Sequence, residues 1–179
     1  MDKNLLLKTL ESVANGQVSA EDGAEKLQHM AYEDITYAHI DHHRSLRKGF
    51  PEVIFGEGKT AEQIVGIMEK MMDQENIILV TRTNQQKADI VRSRFPQAVY
   101  HADARMIVMQ LNSVPDQGRG LILIISAGTS DIPVAREAFL TAKAMGNTVD
   151  TIFDVGVSGI HRLLNHQPLI DEAAVLIVV

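Results

Sequence analysis

"LILIISAGTSDIPVAREAFLTAKAMG", residues 121–146, opens on an apolar run, passes through Ala127-Gly128-Thr129-Ser130-Asp131 and enters a helical pattern near Pro133. Five consecutive apolar residues followed directly by a helix is the grammar of a strand buried on both faces, and it recurs. "TVDTIFDVG" (148–156) and "AAVLIVV" (173–179) are further apolar runs with helical patterns between them. Near-continuous apolar strands alternating with helices predict a doubly wound parallel sheet. In such a sheet ligands sit beyond the carboxyl ends of the strands, where the connections reverse. The join after each strand is therefore where chemistry is sought.

Two of those joins are unusual. In "SAGTSD", Gly128 lets the backbone approach a ligand, the helix start offers unpaired N–H groups, and Thr129 and Ser130 add hydroxyls beside Ser126. Asp131 opposes phosphate there unless it binds a sugar hydroxyl, a cation or the helix's own N–H groups. The same letters also describe an ordinary capped helix with Pro133 in its first turn, and both readings stand. In "FDVGVSGIHRLL", Asp154 closes a strand, Gly156 and Gly159 permit a tight turn, and Ser158, His161 and Arg162 lie at a helix start. Arginine is a bidentate partner for phosphate or carboxylate, and histidine moves protons near neutral pH. Loops on successive strand ends lie side by side and share one crevice.

Working back toward the amino terminus, "SVPDQGRG" (113–120) punctuates two apolar segments and divides the chain into 1–115 and 116–179. Before it, "NIILVTR", "AVYH" and "ARMIVMQL" read as strands, the last with helix as an alternative, and "NQQKADIVRSRF" as a polar helix. "TAEQIVGIMEKMMDQ" reads as a helix capped by Thr60 and Gln63, with Met68, Met71 and Met72 as core. Residues 33–59 read as a strand pair, and residues 3–14 and 20–30 as two short helices separated by Asn15-Gly16 and a Ser19 cap. The first part is therefore α+β.

"DHHRSLRKGF" gathers Arg44, Arg47 and Lys48 with His42 and His43. Adjacent histidines on a strand point to opposite faces and no closed ligand set follows, so anion binding or a solvated turn is expected there rather than zinc. Arg82 follows an apolar strand in the same way, and Lys59 follows the two glycines of "GEGK". His101, Asp103 and Arg105 form either a further site or a salt-bridged edge.

The 179 residues contain 17 Lys and Arg against 23 Asp and Glu, without a basic excess in either part, which excludes a general nucleic-acid binder. No run reaches the ~20 apolar residues of a membrane span and the start is not a signal peptide, so a cytoplasmic protein is expected. Cysteine is absent, which excludes thiolate chemistry within these residues.

"RKGFPEVIFGEGKTAEQI", "SAGTSDIPVAREA", "DVGVSGIHRLL" and "AAVLIVV", in this order, resemble pyridinium-3,5-biscarboxylic acid mononucleotide synthase, the LarB family of nickel-pincer cofactor biosynthesis. The second part also resembles the PurE class of aminoimidazole ribonucleotide carboxylases through "TSD" and "SGIHR". The resemblance implies carboxylation of the pyridinium ring of nicotinic acid adenine dinucleotide by CO2 or bicarbonate, release of AMP, Mg2+ as helper and a homo-oligomer. It places Ser126, Thr129, Ser130 and Asp131 around ribose and phosphate, with Asp154, Ser158, His161 and Arg162 opposite. Asp131, Asp154 and His161 are the catalytic candidates. Arg44, Arg47, Lys48, Lys59 and Arg82 are assigned to the second nucleotide half. The family nucleophile is a cysteine in the C-terminal part; its absence and the end at Val179 lead to the expectation of an incomplete PurE-like sheet, a truncated form lacking turnover.

Overall fold

A computed structural model describes residues 3–29, 33–34, 39–40, 50, 52–72, 75–116 and 118–179. Helices α1 (Lys3–Ala14) and α2 (Ala20–His29) form a small pair at the start. The turn between them is where sequence placed it: Gly16 takes φ 70°, a conformation cheap only for glycine, and the Ser19 hydroxyl accepts the Asp22 N–H at 2.9 Å.

Of the strand pair expected over 33–59, β1 (Glu33–Asp34) and β2 (His39–Ile40) pair antiparallel. Strand β3 (Val53–Phe55) goes elsewhere. It lies parallel to β4 (Ile77–Thr81) in a four-stranded sheet of order β3-β4-β6-β5, with β5 (Val99–His101) and β6 (Met106–Gln110). This sheet is mixed, and chain lengths explain it. Helix α3 (Ala61–Met71) gives β3–β4 a full crossover, whereas four residues join His101 to Met106 and permit only a hairpin. The Thr60–Gln63 capping box forms as read, and it makes α3's start well defined.

Alternation along β4 divides the first core in two. Ile78 and Val80 face α3 and α4 (Gln85–Arg94), meeting the fully buried Ile64, Met68, Met71 and Val91. Ile77 and Leu79 face the other way and meet Leu140 and Ala144 of α5 (Ile132–Ala144). The polar-looking sequence of α4 buries only Ala88 and Val91, enough because α3 supplies the large side chains.

The second sheet is all parallel, in the order β8-β7-β9, from β7 (Leu121–Ile125), β8 (Val149–Ile152) and β9 (Ala173–Val178). The first strand stands in the middle, so the connection to β8 runs one way and the return to β9 runs back across it. Helix α5 lies against β7 and β8. Leu163 of α6 (Ile160–Leu164) and Leu169 and Ile170 of α7 (Gln167–Glu172) pack on Leu123, Ile125, Ile152 and Val155. The fold is thus the α/β class read from the sequence, with one helix, α5, touching both sheets. Among the described residues no helix is long and apolar enough to cross a membrane.

Candidate active site

The carboxyl ends of β7 and β8 are tied together by backbone. The Val155 N–H donates to Ser126 O at 3.2 Å, the Gly156 N–H to Ala127 O at 2.9 Å, and the Ser126 N–H to Ile152 O at 3.0 Å. On the other flank the Ala127 N–H donates to Val179 O at 3.0 Å. The ladder therefore runs past the strands into the loops, and the two loops read from sequence form one surface. Gly156 is required by this approach, because a Cβ there would stand 2.9 Å from Ala127 O.

In the first loop, residues 129–131 make one tight helical turn that leads directly into α5. Gly128 is its extended entry residue, and its N–H donates to Asp131 Oδ2 at 2.9 Å. The Asp131 N–H returns a bond to Gly128 O at 3.1 Å, and Ser130 Oγ lies 3.4 Å from Asp131 Oδ1. Asp131 thus closes the turn, and Thr129 and Ser130 are exposed. Ser126 is fully buried beneath them, and its Oγ has no hydrogen-bond partner.

In the second loop Asp154 adopts φ 59°, which aspartate tolerates better than most residues. That turn aims its carboxylate at Arg162, with Nη1 to Oδ2 at 2.6 Å. The guanidinium lies over Gly159, where a Cβ would stand 2.6 Å from Nε. Asp154 therefore orients Arg162 across the loop, while Ser158 and His161 are exposed beside it. Both members of the pair are about half exposed, so it positions a cation more than it stabilises the fold.

The remaining sequence candidates lie elsewhere. Arg82 and Lys59 follow β4 and β3, at the carboxyl ends of two adjacent strands of the first sheet. Arg82 has φ 53° and pairs with Glu137 of α5 at 2.8 Å. Lys59 is half-buried in the turn after Gly56. Arg44, Arg47 and Lys48 lie outside the described residues. The His101–Asp103–Arg105 stretch is a salt-bridged edge: Asp103 holds Arg136 at 2.6 Å, and although burial raises its carboxyl pKa, the Arg136 hydrogen bond and charge bring the net shift below the usual value. Burial lowers the pKa of His101, against an opposing pull from Asp103. Sequence reasoning passed over Glu137, which holds Arg82.

No group of three or more His, Cys, Asp or Glu among the described residues could hold a metal ion. The loop carboxylates are engaged, Asp131 by an N–H and Asp154 by a guanidinium. The described side chains therefore provide no cage for magnesium.

Comparison with known proteins bears on the first part of the chain. Residues 32–112 match the family model described as the LarB/PurE-like N-terminal domain. That stretch is similar to a LarB/PurE-like N-terminal domain. This supports a PurE-type, carboxylase-related family, as the motifs of the second part implied. An uncharacterized protein of Methanocaldococcus jannaschii is 32% identical over 169 residues, covering 91% of the chain. The chain spans 66% of that relative's length.

Proposed function

We propose that the chain belongs to an enzyme that carboxylates the pyridinium ring of nicotinic acid adenine dinucleotide and hydrolyses its phosphoanhydride, giving AMP and pyridinium-3,5-biscarboxylic acid mononucleotide. The observation that carries the reading is the pairing of Ser126–Ala127 with Val155–Gly156, which joins a hydroxyl-bearing loop to an Arg–Asp loop at the carboxyl ends of parallel strands. In this reading Thr129 and Ser130, above the buried Ser126, take the ribose and phosphate, and Arg162, held by Asp154, meets an anionic oxygen beside Ser158. Asp131, Asp154 and His161 serve the proton transfers.

An electron-poor pyridinium resists an electrophile such as CO2 until a nucleophile adds to the ring. The reading assigns that nucleophile to a cysteine, which these 179 residues lack, and so to a longer form of the protein, in keeping with the relative's greater length. Magnesium enters the reading only as a cation carried on the substrate's phosphates, its usual mode, and no step depends on it. Cytoplasmic location and self-association complete the proposal.

The test is incubation of full-length protein with 13C-bicarbonate and either nicotinic acid adenine dinucleotide or aminoimidazole ribonucleotide. A labelled mononucleotide together with AMP supports the proposal. Label appearing only in the imidazole product replaces it with purine-pathway carboxylation. Nucleotide binding without label in either product makes the protein a binding module.

A further inference from the structure

Among the described residues three that are not glycine take a positive φ, and two of them stand together at one rim of the first sheet: Arg82 (φ 53°) after β4 and Arg105 (φ 51°) before β6. Continuing the antiparallel register of Val80 with Ile107 by two residues places Arg82 opposite Arg105. The Thr83 N–H donates to Arg105 O at 2.8 Å and ties the two turns together. A left-handed backbone at a bulky residue is strained and persists only where its surroundings impose it, which makes it a pointer to function. Each turn delivers a charge to the same helix. Arg82 meets Glu137 of α5 at 2.8 Å, and Asp103, two residues before Arg105, meets Arg136 of α5 at 2.6 Å.

Arg136 and Glu137 are consecutive, in the second turn of α5, and α5 starts directly from the tight turn at Thr129–Asp131. Leu140 and Ala144, further along the helix, share a buried cluster with Ile77, Leu79 and Ala104. The Arg136 guanidinium also lies 4.8 Å from the centre of the Phe139 ring, so it is held on two sides. The first sheet thus grips the amino-terminal half of α5 by charge and its later turns by apolar packing. From the second sheet, the backbone bonds of Ala127 to Val179 and Gly156 hold the loop itself. The four charged side chains are between 23% and 49% exposed, and pairs so exposed add little to folding stability. Strained backbone spent on pairs of little stabilising value is better explained by where they hold α5 than by how strongly.

We infer that Arg82 and Asp103, acting through Glu137 and Arg136, are positioning residues for the Thr129–Asp131 loop, so that the first sheet sets the place of a loop carried by the second. Neither residue touches the ligand; each acts through α5. For what the loop binds, this rests on the nucleotide reading of the β7 and β8 loops and deepens it.

Arg82→Gly separates positioning from plain support. Glycine adopts φ 53° without steric cost, so relief of strain offsets the lost ion pair and the urea unfolding midpoint should stay near the wild type. The Gly128 and Asp131 N–H groups close the turn of the loop, and their hydrogen exchange, read by NMR, should nevertheless quicken severalfold. Nicotinic acid mononucleotide should bind severalfold more weakly. Arg82→Glu should act the same way, and combining it with Glu137→Arg should bring exchange and affinity back toward the wild type. Asp103→Arg, alone and combined with Arg136→Asp, should repeat the pattern. Unchanged loop exchange in the single variants, no recovery in the swapped pairs, or faster exchange with unchanged mononucleotide affinity overturns the inference. Exchange that responds and recovers as described in a protein whose wild type fails to bind the mononucleotide removes the nucleotide reading and leaves the positioning of the loop by Arg82 and Asp103 standing.

Discussion

Replacing Gly156 by alanine tests the joint between the two loops. The backbone of Gly156 has φ −59°, open to any residue, so strain from the torsion itself is not at issue. The added Cβ would stand 2.9 Å from Ala127 O, a backbone atom held on its other side by the ladder to Val179. Overpacking of this kind costs about 1–3 kcal/mol, and displacing the carbonyl loses the Gly156–Ala127 hydrogen bond, about 0.5–1.5 kcal/mol. Restricting the unfolded chain returns about 0.4–1 kcal/mol. The net loss is about 0.5–4 kcal/mol. With a urea m-value near 2 kcal/mol/M, the unfolding midpoint should fall by roughly 0.25–2 M. The same substitution should weaken nicotinic acid mononucleotide binding, because the loops separate. A midpoint within roughly 0.2 M of the wild type together with unchanged binding would refute the joint.

Further outcomes follow from individual groups. Glu75 is buried at the start of β4, and burial first, with Glu52 adding to it, raises its carboxyl pKa from 4.5 to about 6. The folded value exceeds the unfolded one, so its ionisation costs nothing below pH 4.5, costs progressively more through pH 6, and is fully unfavourable above. Glu75→Gln should therefore stabilise the protein by about 1–2 kcal/mol at pH 7.5 and by little at pH 4.5, read from urea unfolding at both; equal gains at both would refute the assignment. Asp131→Asn keeps an oxygen to accept the Gly128 N–H but removes the charge. It should leave stability within about 0.5 kcal/mol while lowering product formation by on the order of 100-fold, and near-normal turnover would reduce Asp131 to a cap. Arg162→Ala should cost less than about 1 kcal/mol of stability because its ion pair is half exposed, yet weaken mononucleotide binding by about tenfold in calorimetry.

The second sheet was legible because its strands carry their own signature: Leu121–Ile125 and Ala173–Val178 are unbroken apolar runs, and parallel pairing buried by helices is what such runs require. The adjacency of the two loops was legible for the same reason, since Gly128, Asp131, Gly156 and Arg162 sit in the joins that follow neighbouring strands. The first sheet was harder. "EVIF" and "NIILVTR" look alike whether their partner is parallel or antiparallel, and only the crossover through α3 and the four-residue turn before Met106 decide it. That β3 left the β1–β2 pair could not be read from alternation, which fixes a face and not a neighbour. Glu137 was missed because a mid-helix glutamate is ordinary in sequence; its meaning comes from Arg82, more than fifty residues earlier, which the packing of α5 on the first sheet brings within 2.8 Å.

The central claim is that the joined loops of β7 and β8 hold the nucleotide. A crystal structure of the protein with nicotinic acid mononucleotide tests it most directly. The account predicts the phosphate and ribose between Thr129–Asp131 and Ser158–Arg162, with Arg162 still on Asp154. A mononucleotide seated elsewhere, with both loops empty, would contradict it.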